Sequence, residues 1–93
     1  MLMSEEKLEI RNTILGLERR IEETHTAIQK YCQGNTRIMP DWQKLERDLI
    51  SFSGRTIMDA ELSQQLDRVL HKFQNRKGIW LRWVEDVYQR SNK

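Results

Sequence analysis

Residues 10–31 read IRNTILGLERRIEETHTAIQKY, and apolar side chains recur there every seven residues. One position of this repeat is held by Ile14, Ile21 and Ile28. The second position is held by Ile10, Leu17, Thr24 and Tyr31. Side chains at these spacings lie on one side of an α-helix and pack against a neighbouring helix. The repeat therefore predicts a long helix, which we place over residues 4–32.

This first helix is typical of either a packed bundle or a free-standing coiled coil. Leu8 and Leu15 widen its apolar side, whereas Lys7 and Thr24 interrupt the repeat. A wide apolar side suits a helix with more than one neighbour, so we favour the bundle. Ser4 is the predicted N-terminal cap, because a serine oxygen accepts hydrogen bonds from the backbone amides of the first turn.

Residues 33–40, QGNTRIMP, interrupt the helical pattern. Gly34 or Asn35 suits the left-handed residue that follows many helix ends, and Pro40 suits the first turn of a following helix. A short second helix is predicted over residues 41–53, because four apolar residues share one face at steps of three and four. These four residues are Trp42, Leu45, Leu49 and Phe52.

A third helix is predicted over residues 57–89, where Thr56 and Asp59 resemble a capping box at its start. Its inward side is predicted to carry Leu62, Leu66, Val69, Phe73, Arg76, Trp80, Trp83 and Val87. Gly78 lies within this helix and marks a position for a kink. Two long helices and a short one predict a single all-α domain over residues 1–93. We expect an antiparallel helical hairpin or a three-helix bundle, associating through coiled-coil-like seams.

Composition limits the classes of protein to which the chain can belong. It has 93 residues, 38% of them apolar and 32% charged, and a net charge of +2. A core of this size gives modest stability, which favours association with a partner. The sequence lacks both the run of about 18 apolar residues that a membrane span needs and the pattern of a signal peptide. With Cys32 as the only cysteine, we expect a cytoplasmic protein that does not bind membranes.

No combination of residues predicts catalysis or a bound metal. Cys32 has no base and orienting group near it in the sequence, so a packing role is favoured over that of a nucleophile. Glu22 and His25 form one E-x-x-H pair, but the predicted helix faces do not supply the further ligands of a carboxylate-bridged metal site. We therefore expect this pair to lie on a solvated helix face. We also expect no enzyme activity, no metal and no cofactor.

The stretch at 77–88, KGIWLRWVEDVY, places two tryptophans within one helical turn. Apolar residues around Trp80 cover more than half of the helix circumference at 100° per residue, which is more than one neighbouring helix covers. One interpretation is an intramolecular core that the short helix completes. We favour contact with a protein partner, most simply a second copy in a homodimer, since buried aromatic residues dominate association energies. The predicted partner-binding residues are Trp80, Trp83, Val84, Val87 and Tyr88.

The predicted function is a non-catalytic protein–protein interaction module of the adaptor, chaperone or regulatory-subunit type. The alternative is a small nucleic-acid-associated protein that uses a basic ridge on the third helix. This ridge consists of Arg68, Lys72, Arg76 and Lys77. A basic ridge follows phosphates while an aromatic ring stacks on a base. Asp67, Glu85 and Asp86 lie near the ridge and weaken this alternative.

Overall fold

A computed structural model describes residues 4–55 and 57–91 of the protein, and these residues form three α-helices. Helix α1 is Ser4–Cys32, α2 is Trp42–Ser53 and α3 is Ala60–Ser91. Together they form an elongated body of 58 × 18 × 16 Å. The all-α prediction is therefore confirmed, and α3 continues through Gly78 as one helix.

The end of α1 has the predicted left-handed residue, and it is Gly34, with a φ of 83°. The backbone N–H of Asn35 donates to the carbonyl of Lys30 at 2.9 Å, which satisfies one of the carbonyls left open at the end of a helix. Glycine adopts this conformation without the steric cost of a Cβ. Gly34 therefore stops α1 and turns the chain back along the body.

Both later helices begin at aspartate caps, and this moves their predicted starts. The Asp41 carboxylate accepts a hydrogen bond from the backbone N–H of Lys44 at 3.1 Å, so α2 begins after it, at Trp42. Asp59 accepts from the backbone N–H of Leu62 at 3.0 Å. Helix α3 therefore begins at Ala60, three residues later than predicted. Thr56 of the predicted capping box lies outside the described residues.

Helices α1 and α3 run parallel to each other. Lys7 near the start of α1 pairs with Asp59 at the start of α3, with 3.0 Å between Nζ and Oδ2. Further along both helices, His25 contacts Trp80. Helix α2 returns in the opposite direction and lies beside them. The protein is thus the three-helix alternative of the prediction and not the antiparallel hairpin, because α2 brings the chain back before α3 starts.

The core lies along the line where the three helices meet. Its members from α1 are Ile14, Leu17, Ile21 and Ile28. Those from α2 are Trp42, Leu45, Leu49 and Phe52. Those from α3 are Leu62, Leu66, Val69, Phe73 and Trp80. These positions confirm most of each predicted apolar face. The predicted inward residues that are only half-buried are Ile10, Thr24 and Tyr31 of α1 and Arg76, Trp83 and Val87 of α3.

The three helices differ in length, so within the described residues part of α3 has no second helix beside it. The 12 residues of α2 extend about 18 Å at 1.5 Å per residue, whereas the 32 residues of α3 extend about 48 Å. Trp42, the first residue of α2, lies opposite Trp80. The segment of α3 after Trp80 therefore continues beyond the end of α2.

Across residues 4–55 and 57–91, none of the three helices combines the length and the apolar character that crossing a bilayer requires.

Candidate functional site

Trp80 lies in the core and not on a partner surface. Its side chain is 0% exposed, and its indole Nε1–H donates to Nδ1 of His25 at 3.0 Å. Phe73 packs edge-on against the indole with 5.8 Å between ring centroids, and Trp42 of α2 lies at 6.4 Å. A side chain enclosed in this way has no surface to offer a partner. We therefore remove Trp80 from the predicted partner-binding residues.

Trp83 lies at the edge of this aromatic cluster. It is half-buried, and its ring centroid is 5.2 Å from that of His25. On its other side, Trp83 lines a shallow cavity with Cys32 of α1 and Arg90 of α3. The two tryptophans of 77–88 thus have different environments. One completes the core, while the other borders the solvent at the end of α3.

An apolar surface lies on α3 beyond the end of α2. Leu81 is 49% exposed and Tyr88 is 69% exposed, with Val84 half-buried between them. Residues three, four and seven positions apart share one face of a helix, so these three side chains form one stripe. We call Leu81, Val84 and Tyr88 the terminal patch. Leu81 was not among the predicted partner-binding residues, although it belongs to the same apolar arc.

The terminal patch continues the face of α3 that α2 covers nearer the middle of the body. Lys77 lies four residues before Leu81 on this face, and its ammonium group pairs with Glu46 of α2. The same ammonium group lies 5.7 Å from the ring centre of Trp42. One turn later α2 has ended. The terminal patch is therefore the part of a helix-binding face that has no helix on it within the described residues.

Three of the four residues of the predicted basic ridge are engaged with the protein's own carboxylates. Lys72 pairs with Glu18 at 3.3 Å and with Glu22. Arg76 lies 3.4 Å from the same Glu22 carboxylate. The hydrogen bond to Lys72 lowers the pKa of Glu22, and that to Glu22 raises the pKa of Lys72. Lys72 and Arg76 therefore join α3 to α1, and Lys77 joins α3 to α2 through Glu46. These cations do not form a free phosphate-binding row.

Arg68 stands apart from these ion pairs and supplies a matched control for one of them. It is exposed and has no carboxylate partner among the described residues. We expect Lys72→Glu to lower the free energy of unfolding by about 1 kcal/mol, because it sets a third carboxylate beside Glu18 and Glu22. Arg68→Glu is expected to change it by less than about 0.5 kcal/mol. Urea denaturation followed by circular dichroism compares the two, and equal losses would contradict the assigned ion pairs.

His25 is the central polar residue of the α1–α3 contact, and the sequence reasoning missed it. Its Nδ1 faces the indole N–H of Trp80, and its Nε2 lies 3.2 Å from Nη1 of Arg76. Burial lowers the pKa of His25, as does the Arg76 guanidinium, while Glu22 opposes the shift. The imidazole is therefore neutral near pH 7. The sequence did contain an indication of this contact. Arg76 was predicted to face inward, and a charged residue there requires a polar partner on the facing helix.

The predicted solvated position of the E-x-x-H pair holds for Glu22, whose side chain is 46% exposed, but not for His25, which is half-buried. Glu22 and His25 both contact α3, and the groups that face them are the donors of Lys72, Arg76 and Trp80. Among the described residues, no three His, Cys, Asp or Glu side chains are placed to hold a metal ion. Burial raises the pKa of the Cys32 thiol, which disfavours its reactive thiolate form.

Comparisons with protein-family models, with curated proteins and with solved structures find no match to this chain. Its function is therefore inferred from its own residues.

Proposed function

We propose that the protein is a non-catalytic helical interaction module that associates with a second copy of itself through the terminal patch. The observation that supports this proposal is the exposure of Leu81 and Tyr88. They lie on a face of α3 that α2 covers only in the segment before Trp80. Adaptors, chaperones and regulatory subunits use helix faces in this way, although architecture alone assigns no such role. The single cysteine favours a reducing compartment, and we place the module in the cytoplasm.

The chemistry of the terminal patch favours a protein surface as its occupant. A leucine, a valine and a tyrosine along two turns of helix match the way an apolar helix face lies in a groove. Tyrosine adds a large ring with a hydroxyl that stays hydrated at the rim of a contact. Trp83 lies beside the patch, held against His25, and extends the apolar area toward α1. A helix laid on this patch would continue the line of α2.

A second copy is the simplest partner for this surface. A core drawn from 93 residues gives modest stability, and association adds to it. Lys77 at the edge of the patch is already paired with Glu46, so it sets no free positive charge between two copies. The patch itself is smaller than the roughly 800 Å² per partner of a standard interface. We therefore expect a weak, reversible dimer whose population depends on concentration.

The test replaces Tyr88 at the patch and Ile50 away from it. Ile50 lies on α2 and is 63% exposed, so Ile50→Glu makes a similar change on another surface. Tyr88→Glu is expected to weaken association by about 2 kcal/mol, or about 30-fold in the dissociation constant, because it buries a charge in the contact. Ile50→Glu is expected to leave association unchanged. Sedimentation equilibrium over a range of concentrations measures both, and circular dichroism checks that each variant is folded.

Two results would overturn this proposal. One is a wild-type protein that stays monomeric up to high micromolar concentration. The other is a dimer that Ile50→Glu weakens as much as Tyr88→Glu does. Retardation of DNA or RNA near physiological salt, abolished by Arg68→Glu with Lys72→Glu, would favour the nucleic-acid alternative instead.

A further inference from the structure

His25 is held between two hydrogen-bond donors. The Trp80 indole N–H points to Nδ1 at 3.0 Å, and the Arg76 guanidinium faces Nε2 at 3.2 Å. A neutral imidazole has a lone pair on only one of its ring nitrogens. Arg76 also donates to Glu22 Oε1 at 3.4 Å, whereas the buried indole N–H donates to His25. We therefore assign the lone pair to Nδ1, where it accepts from Trp80.

Protonation would remove this acceptor. Both nitrogens of an imidazolium carry a proton, so Nδ1 and the indole of Trp80 would face each other as two donors. The fully buried indole N–H would then have no acceptor in its present position, which destabilises the packed arrangement of Trp80. The positive ring would also face the guanidinium of Arg76. Protonation of His25 therefore opposes the packing of Trp80 against α1.

The three helices around His25 differ in the charges that they bring to its imidazole. From α3, Arg76 brings a positive charge to the ring. From α1, Glu22 brings a negative charge, but Lys72 and Arg76 already share it. Helix α2 contributes Trp42, which packs against Trp80, and no charged group of α2 contributes to the shift at His25. The negative charge of Glu22, which favours protonation of His25, is thus already partly neutralised by Lys72 and Arg76.

The contact with Trp83 joins His25 to the proposed association surface. The centroids of the two rings are 5.2 Å apart, and Trp83 lies next to Val84 of the terminal patch. One imidazole therefore touches both tryptophans of α3, one by a hydrogen bond and the other by ring contact. A change in His25 acts on the same helical turn that presents the patch.

We propose that His25 makes the end of α3 sensitive to pH, so that uptake of a proton by its imidazole separates Trp80 and Trp83 from α1 and weakens association through the terminal patch. The association half of this inference rests on the proposed function. The separation of the tryptophans does not, because it takes place within one chain.

The pH range follows from the direction of the shift. The pKa of His25 in the folded protein lies below its ordinary value of 6.5, so the unfolded chain binds the proton more readily. The stabilisation by neutral His25 is complete above pH 6.5 and is lost as pH falls from 6.5 through the folded pKa. The Glu22 and Asp59 carboxylates have pKa values below 4.5 and 3.8, so they act at lower pH. A measurement between pH 7.5 and 5.5 therefore separates protonation of His25 from protonation of these two carboxylates.

The experiment compares the wild type with His25→Asn and His71→Asn. Asparagine sets an amide oxygen near the position of Nδ1 and does not titrate in this range. His71 is the other histidine of the chain and is exposed on α3, so its replacement is the matched control. Tryptophan emission of the dilute monomer and the dissociation constant of the dimer are both measured at pH 7.5 and 5.5.

We expect wild type and His71→Asn to shift their emission to longer wavelength at pH 5.5, because Trp80 and Trp83 become hydrated. Their dimer dissociation constants are expected to rise about tenfold, which lies within the usual range of coupling between two sites of one protein. His25→Asn is expected to show neither change. A pH response of His25→Asn equal to that of wild type, or no response in wild type, would overturn the role of His25.

The two proposals fail in different measurements. Absence of a dimer at pH 7.5 overturns the proposed function and the association half of this inference. The emission of the monomer still decides whether His25 holds the tryptophans. A dimer whose dissociation constant is unchanged at pH 5.5, with emission that does shift, overturns the coupling alone.

Discussion

Replacing Ile21 with aspartate is expected to unfold the protein. Ile21 is 0% exposed and lies in the middle of the α1 contribution to the core. Loss of the buried side chain costs about 2 to 5 kcal/mol, and burial of an unpaired carboxylate adds several more. Domains of this size are stable by only about 5 to 15 kcal/mol. Circular dichroism should show loss of most of the helical signal at 25 °C.

Leu15→Asp is the matched control for this substitution, since it makes the same kind of change in the same helix. Leu15 is 49% exposed, so the new carboxylate stays in water. We expect this variant to remain folded, with a free energy of unfolding within about 1 kcal/mol of the parent. Equal effects of the two substitutions would mean that the core-facing side of α1 is wrongly assigned.

Trp80→Ala is expected to cost about 3 to 5 kcal/mol of folding free energy. Trp80 is the largest of the fully buried side chains, and its removal leaves Phe73 and Trp42 around a cavity. The acceptor nitrogen of His25 also loses its donor. Thermal or urea denaturation measures the loss.

Trp83→Ala and Trp80→Phe separate the causes of that loss. Trp83 is only half-buried, so we expect its truncation to cost less folding energy and to act mainly on association. Trp80→Phe keeps an aromatic ring but removes the indole N–H, so it should fall between the parent and Trp80→Ala. If Trp83→Ala destabilises the monomer more than Trp80→Ala, the division between core and surface is wrong.

Much of the fold follows from the sequence because burial repeats with the period of a helix. Ile14, Ile21 and Ile28 are buried as their seven-residue spacing predicts. Helix ends were less predictable, because a side chain near a boundary either caps the helix or begins it. Asp41 and Asp59 do the former, which a pattern of apolar residues does not reveal. The sequence also did not predict that α1 and α3 are parallel, because this depends on whether α2 runs antiparallel to both of them.

The candidate site was less predictable than the fold, for a geometric reason. Trp80 and Trp83 are three residues apart, and both belong to the same apolar arc of α3. Trp80 is enclosed because Trp42, at the start of α2, packs against it, whereas the ring contact of Trp83 is with His25 of α1. Trp42 lies opposite Trp80. The position of Trp42 along the body depends on the turn at residues 33–41 and not on the sequence of α3. Apolar periodicity is also silent about His25, whose role comes from contacts with two residues of another helix.

The parallel course of α1 and α3 has a consequence for how the chain folds. The contacts of His25 with Arg76 and Trp80 join residues 51 and 55 positions apart, and Glu18 and Lys72 are 54 positions apart. In an antiparallel hairpin, contacts near the turn form first and shorten the loop for those that follow. Here every contact between the long helices requires closure of a loop of similar length. The contacts between α1 and α3 therefore all have a long sequence separation, and we expect the closure of this loop to slow folding relative to an antiparallel hairpin of the same two helices.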